Sequence, residues 1–161
     1  MARPEYRTAR KDYPEHDIKA GDQYWFVQLK TGPRSSRTLR QKTPFRRSQL
    51  TTSEYLQQLY DWEDSKSAMT SMDDAQQYAD DIRALGEEQG EKFDNMPDGL
   101  QQSDTGQTLE SRRDGCEDAA QEIEEVIQEW EDAKKEHDPS GDEAFDESEW
   151  LERVKDVSVA N

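Results

Sequence analysis

Few side chains in this sequence have the type and spacing to do chemistry, and most of them sit in surroundings that argue against it. Asp104, Thr105 and Gly106 spell the Asp-Thr-Gly string of aspartic proteases. Those enzymes bury that loop between apolar strands, whereas here Gln101, Gln102 and Ser103 precede it and a helix follows. Asp138 to Glu147 is rich in acids, but its glycine falls at the fourth position and not at the sixth that an EF-hand loop requires. His16 and His137 are the only histidines, and neither has a Cys or His at ligand spacing, so no zinc site is expected. There is no P-loop and no dinucleotide fingerprint. Cys116, the single cysteine, lies on an apolar stripe beside Glu117 and Asp118, which disfavour a thiolate, so it reads as a core thiol. One cysteine also excludes an internal disulfide framework and fits a reducing compartment. No enzyme, cofactor or metal is expected.

Binding chemistry is better represented. Arg34, Arg37, Arg40, Lys42, Arg46 and Arg47 lie within fourteen residues that contain no acid, and Lys30 stands just upstream. Cations neutralise phosphates, and aromatic faces let unpaired bases stack. Tyr24 and Phe26, beside Lys30, Arg40 and Lys42, would put both ingredients on one strand face. The same cations could instead pair with acidic helices of this chain or of a second copy, or meet a separate acidic protein. A second pattern lies further on. Asp114, Asp118, Glu122, Glu125, Glu129, Asp132 and Glu136 step by three or four and share one helix face. Six like-charge neighbours cost about 1–3 kcal/mol at roughly 0.2–0.5 each. Burial of Ile123, Ile127 and Trp130 at roughly 1.5–3 kcal/mol apiece outweighs that. Carboxylates about 5–6 Å apart along an axis could imitate a phosphate row; the plainer reading is a solvated helix face.

These two patterns reflect a polarity of the whole chain. Its formal net charge is −17, yet residues 1–50 hold 12 Lys/Arg against 5 Asp/Glu, and residues 51–161 hold 9 against 33. Salt adaptation would be expected to acidify both parts, so the basic head is a separate feature. Only 30% of residues are hydrophobic and 37% are charged, a composition near the disordered class. Hydrophobic pattern must therefore define the fold. The start has no apolar signal-peptide core and no segment approaches 18 apolar residues, so neither export nor a membrane partner is expected.

Gln23 to Lys30 reads as a strand, with Trp25, Val27 and Leu29 on one face and Tyr24, Phe26, Gln28 and Lys30 on the other. A Gly-Pro loop returns it through Ser36 to Lys42, giving a β-hairpin in which Leu39 joins the packed side. Two strands alone are marginal, so the hairpin should lean on the next helix. Thr51 with Glu54 fits a capping box for that helix, and Tyr55, Leu56, Leu59, Tyr60 and Trp62 form its apolar side. A second helix starts near Ser71, carries Met72, Ala75, Tyr78, Ile82 and Leu85 on one stripe, and runs to about Phe93. Gly86 and Gly90 weaken its end by about 1 kcal/mol each. A third spans about Thr108 to His137, with Leu109, Cys116, Ala120, Ile123, Ile127 and Trp130 at heptad-like steps. Helices two and three form an antiparallel hairpin. Phe145, Trp150, Leu151 and Val154 mark a short last helix, docked or loose.

Three stretches, "IKAGDQYWFVQLK", "SQLTTSEYLQQLYDWED" and "NMPDGLQQSDTGQTLESR", resemble a group of uncharacterised proteins encoded by tailed bacteriophages and prophages. The shared features are a Lys-x-Gly-x-x-Tyr strand, a Ser-Gln-Leu-Thr helix start and an Asn-Met-Pro-x-Gly-Leu-Gln turn. They cover residues 11–130 in patches, and the Thr43 to Arg47 stretch is poorer in proline than in that group. The resemblance implies a phage gene acting in a bacterial cytoplasm, in a DNA-associated or host-countering role.

The fold expected is α+β and mostly α. Residues 1–66 form a basic β-hairpin head with a first helix, 67–137 an acidic, coiled-coil-like helical hairpin, and 138–161 an acidic tail. The function expected is non-catalytic binding. The head would contact nucleic acid or an acidic protein surface, and the helical body a partner or a second copy. The rival is an inhibitor of a host-defence complex, of the anti-CRISPR or anti-restriction kind, acting by nucleic-acid mimicry through the acidic helices; a second alternative is an enzyme of unknown chemistry.

Overall fold

The computed structural model describes residues 3–137 and 145–159. The chain divides into two compact units, Met1–Asp61 and Trp62–Asn161. The fold is α+β and mostly helical, with one small antiparallel sheet in the first unit.

That sheet has three strands, β1 (Glu5–Thr8), β2 (Gln23–Lys30) and β3 (Ser36–Gln41), in the order β1-β2-β3. The hairpin of β2 and β3 is as expected, pairing Trp25 with Gln41 and Lys30 with Ser36. β1 was not foreseen, because its four residues are all exposed and show no apolar alternation. It is placed by backbone pairing, from Glu5 opposite Phe26 to Thr8 opposite Gln23, and by side-chain contacts across to β2, the Tyr6 hydroxyl donating to Gln23 Oε1 at 2.9 Å. The chain between β1 and β2 folds back through a bridge between Tyr13 and Ile18. Gly21 adopts φ 93°, which favours glycine, and its N–H donates to the Ala9 carbonyl at 2.8 Å. This return buries Ala9 and Ile18 against Tyr24. Val27 and Leu29 are buried on the opposite side of the sheet. On that side Leu29 and Leu39 border a cleft shared with Ser48, Thr51, Gln57 and Asp61, so the hairpin meets the start of α1 (Glu54–Ser67) within the first unit.

The expected Thr51–Glu54 capping box is not formed. Ser53 caps α1, its hydroxyl accepting from Leu56 N–H at 3.4 Å and its carbonyl from Gln57 N–H at 3.0 Å. Thr51 instead accepts from Ser53 N–H at 3.2 Å, a local hydroxyl-to-backbone bond that leaves it outside the helix. Tyr55, Leu59, Tyr60 and Trp62 are buried, whereas Leu56 is half-buried.

In the second unit Ser71 caps a 3-10 turn that leads into α2 (Ala75–Asp94). Pro97 then opens the single turn α3 (Asp98–Gln101), and Ser103 caps the 33-residue α4 (Asp104–Glu136), its hydroxyl accepting from Gly106 N–H at 3.4 Å. α4 thus begins four residues before the expected Thr108. Gly106 makes this entry sterically feasible, since a Cβ there would lie 2.0 Å from the Gln101 carbonyl oxygen.

α2 and α4 form the antiparallel hairpin. Its seam differs from the expected stripe. Ala79, Ala119 and Val126 are buried, while Tyr78, Leu109 and Ile127 are half-buried. Small residues at the crossing bring the backbones close. A Cβ on Gly86 would stand 2.8 Å from the Cys116 Cβ and 3.2 Å from the Arg113 carbonyl, so this glycine is a packing position and not merely a weak helix residue. Cys116 is fully buried in that seam.

The last helix, α5 (Ser148–Asp156), packs on α4 with Val154 completely buried. Lys66 secures it. The residue is 1% exposed, and its ammonium donates to the carbonyls of Val154 (3.0 Å), Lys155 (2.8 Å) and Val157. These are the orphan acceptors of a helix C-terminus, satisfied here by one buried side chain. Among the described residues no helix is long and apolar enough to cross a membrane.

Candidate nucleic-acid interface

The outer face of the sheet carries Glu5 and Arg7 of β1, Tyr24, Phe26, Gln28 and Lys30 of β2, and Ser36, Thr38 and Arg40 of β3, as the register requires. Its proximal half is a stack of cations on rings. The Arg7 guanidinium lies 3.9 Å from the Phe26 centroid, and Arg40 lies 4.7 Å from Tyr13 and 5.6 Å from Phe26. The Lys11 ammonium approaches Tyr13 at 5.7 Å. Each such contact contributes about 0.5–1 kcal/mol at exposed sites.

Three expected contact residues are therefore corrected. Tyr24 is no stacking platform, because its ring is buried against Ala9 and Ile18 and meets Tyr13 at 5.8 Å. Phe26 is half-buried and its ring is occupied by Arg7 and Arg40. Lys42 is already paired, at 3.2 Å with Asp17 and 3.5 Å with Asp22. The hydrogen bond to Asp17 raises the Lys42 pKa, and the Lys19 backbone N–H, seconded by Lys42, holds Asp22 below the usual carboxylate range. Among the described residues Arg40 engages rings and not acids, and its Nε is buried without a hydrogen-bond partner.

The remaining expected cations are placed differently. Lys30, Arg34 and Arg37 surround the loop between β2 and β3, exposed and with no carboxylate within ion-pair distance among the described residues. Arg46 is likewise exposed; its backbone N–H donates to Gln49 Oε1 at 2.9 Å and its carbonyl accepts from Gln49 N–H at 3.1 Å, while its guanidinium has no carboxylate within ion-pair distance among the described residues. The Arg47 guanidinium lies 4.2 Å from the Tyr60 ring. Arg7, Lys11 and Tyr13 were missed, although "YRTARKDY" places three cations between two tyrosines. Tyr6, 55% exposed and 5.0 Å from Trp25, forms an aromatic pair on the opposite face that was also unforeseen.

On α4 all seven acids of the expected row are exposed. The row is interrupted. Asp114 pairs with Arg113 at 2.8 Å, Asp132 with Lys135 at 3.1 Å, and Glu129 with Arg153 of α5, which lowers the Glu129 pKa. Asp118, Glu122, Glu125 and Glu136 have no ion-pair partner among the described residues. Glu124, which faces α2, is bonded by Arg83 at 2.9 Å. No group of three or more His, Cys, Asp or Glu is placed to hold a metal among the described residues; most of the Asp138–Glu147 stretch lies outside them.

No protein-family model, curated protein or solved structure matches this chain.

Proposed function

We propose that this is a non-catalytic binding protein whose basic first unit contacts nucleic acid. One observation carries the reading. Lys30, Arg34, Arg37 and Arg46 stand exposed and unneutralised among the described residues, although the chain as a whole has seventeen more acids than bases. Had these cations served to offset the chain's own charge, they would be expected on carboxylates, as Lys42 is. Like charges held together repel, and a polyanion relieves that repulsion while releasing its counterions. A phage-type protein of a bacterial cytoplasm, with a DNA-associated role, accords with this reading.

The test is retardation of labelled single- and double-stranded oligonucleotides by the full chain at low salt. Retardation should be lost on Arg34→Ala with Arg37→Ala and should fall with a log–log salt slope of about −2 to −3, as expected for about three phosphate contacts. Absence of retardation at about 50 mM salt would refute it.

A second reading is favoured by the run Asp118, Glu122 and Glu125. These three carboxylates have no ion-pair partner among the described residues, lie on one face of α4 and would occupy the nucleic-acid channel of a host-defence complex. Replacing Glu122 and Glu125 by Gln should then release a basic host partner; unchanged capture would exclude mimicry.

A further inference from the structure

The nucleic-acid reading leaves the form of the ligand open, and the sheet itself discriminates. A single strand needs bare aromatic faces for its bases. On the outer face Tyr24 is buried and Phe26 lies under two guanidiniums, so the proximal half has no such platform. The distal half has other properties. β1 ends opposite Phe26, so Val27 to Lys30 pair only with Ser36 to Leu39 and the sheet narrows to a two-stranded ribbon. One side of this ribbon buries Val27 and Leu29, 1% and 5% exposed, with Arg37 exposed opposite Leu29 near its end. The other presents Gln28, Lys30, Ser36 and Thr38, all hydrogen-bonding side chains, with Arg34 in the loop beyond. Gln28 Nε2 donates to Ser36 Oγ at 2.7 Å, which fixes the amide and leaves its oxygen without a hydrogen-bond partner among the described residues.

We propose that this outer ribbon face, Gln28, Lys30, Ser36 and Thr38 with Arg34, sits in the major groove of duplex DNA. Strands about 4.8 Å apart, with their side chains, fit a groove about 12 Å wide and exceed a minor groove of about 6 Å. An amide, two hydroxyls and an ammonium are the side-chain types that read base edges there, while Arg34 reaches phosphate. Duplex RNA is excluded, since its deep, narrow major groove does not admit side chains. The proposal rests on the nucleic-acid reading above and goes beyond it in naming B-form DNA and the surface.

The test uses the full chain with a random-sequence pool of DNA duplexes about 20 base pairs long, the corresponding single strands, and RNA duplexes of the same length. Duplex DNA should bind at least ~10-fold more tightly than either alternative. Lys30→Ala with Arg34→Ala should lower that affinity ~10-fold, Gln28→Ala should change the sequences enriched from the pool, and Tyr6→Ala should leave binding unchanged. Circular dichroism of each variant checks that these exposed replacements leave the fold intact. A preference for single strands that is lost on Tyr6→Ala would overturn the groove proposal while leaving nucleic-acid binding standing. Duplex binding insensitive to Lys30, Arg34 and Gln28 would overturn it as well. Failure of all three ligands to bind would overturn both readings.

Discussion

The two units treat their cations in opposite ways. Of the nine Lys and Arg in the second unit, each is engaged. Lys66 is buried on three carbonyls, and Arg83 joins Asp80, Glu117 and Glu124. Lys92, Arg113, Lys135, Arg153 and Lys155 hold carboxylates, Lys134 lies 4.3 Å from the Trp130 ring, and Arg112 also has a partner. In the first unit Arg7 and Lys42 have carboxylates, Arg40, Lys11 and Arg47 have rings, and Lys30, Arg34, Arg37 and Arg46 have neither among the described residues. The difference follows from numbers. The second unit holds 31 acids for its nine bases, and the first seven acids for twelve. Where acids are in excess, every cation is engaged within its own unit, most of them on carboxylates. Where they are scarce, some cations remain available to something outside the unit.

That contrast can be broken by substitution, starting with the largest effect. Lys66→Met would strip the α5 C-terminus of its donor and leave buried carbonyls unsatisfied, at about 1–3 kcal/mol for each that finds no water. A loss of about 3 kcal/mol in urea unfolding is expected; a loss below about 1 kcal/mol would show that Lys66 is incidental. Gly86→Ala comes next. Helix propensity alone would favour alanine by about 1 kcal/mol, but the Arg113 carbonyl cannot move away from the new Cβ as a side-chain tip could. Overpacking of about 1–3 kcal/mol should win, and a stabilised variant would mean that the helices separate easily.

Within the first unit Arg40→Ala should cost about 1 kcal/mol through its two ring contacts, whereas Arg34→Ala should change stability by less than about 0.5 kcal/mol. Equal losses at the two positions would erase the distinction between engaged and available cations. The smallest effect concerns acid. Arg83 holds the Glu124 carboxyl below its ordinary value of 4.5, so folding binds fewer protons there than the unfolded chain does. This contribution is complete above that ordinary value and is lost as pH falls through the depressed one. The stability difference between the protein and Glu124→Gln should therefore be under about 1 kcal/mol at pH 7 and shrink as pH falls below that ordinary value. A difference that persists in acid would have another origin.

Much of the helical half was legible because α2 and α4 repeat apolar residues at helical spacing over many turns. Their starts were less so. Ser53 and Ser103 cap α1 and α4, and choosing among adjacent Thr and Ser residues depends on which hydroxyl lies in line with a free N–H. The seam also moved, since Gly86 and the alanines at 119 and 120 allow an approach that larger apolar residues would prevent. In the head, the β2–β3 hairpin followed from alternation and a Gly-Pro loop, whereas β1 gave no periodic signal. Its arrival reversed the reading of Tyr24, which alternation placed on an open face and which the returning residues Ala9 and Ile18 cover.

The sequence alone determined the polarity of the chain, the α+β class, the hairpin and the long acidic helix, because charge and periodicity are properties of the covalent chain and need no partner to exist. Only the tertiary structure decided which charges remain available. Pairing is a matter of a few ångströms between residues far apart in sequence, Lys42 with Asp17, Arg153 with Glu129, Lys66 with the end of α5, and no spacing along the chain encodes those distances.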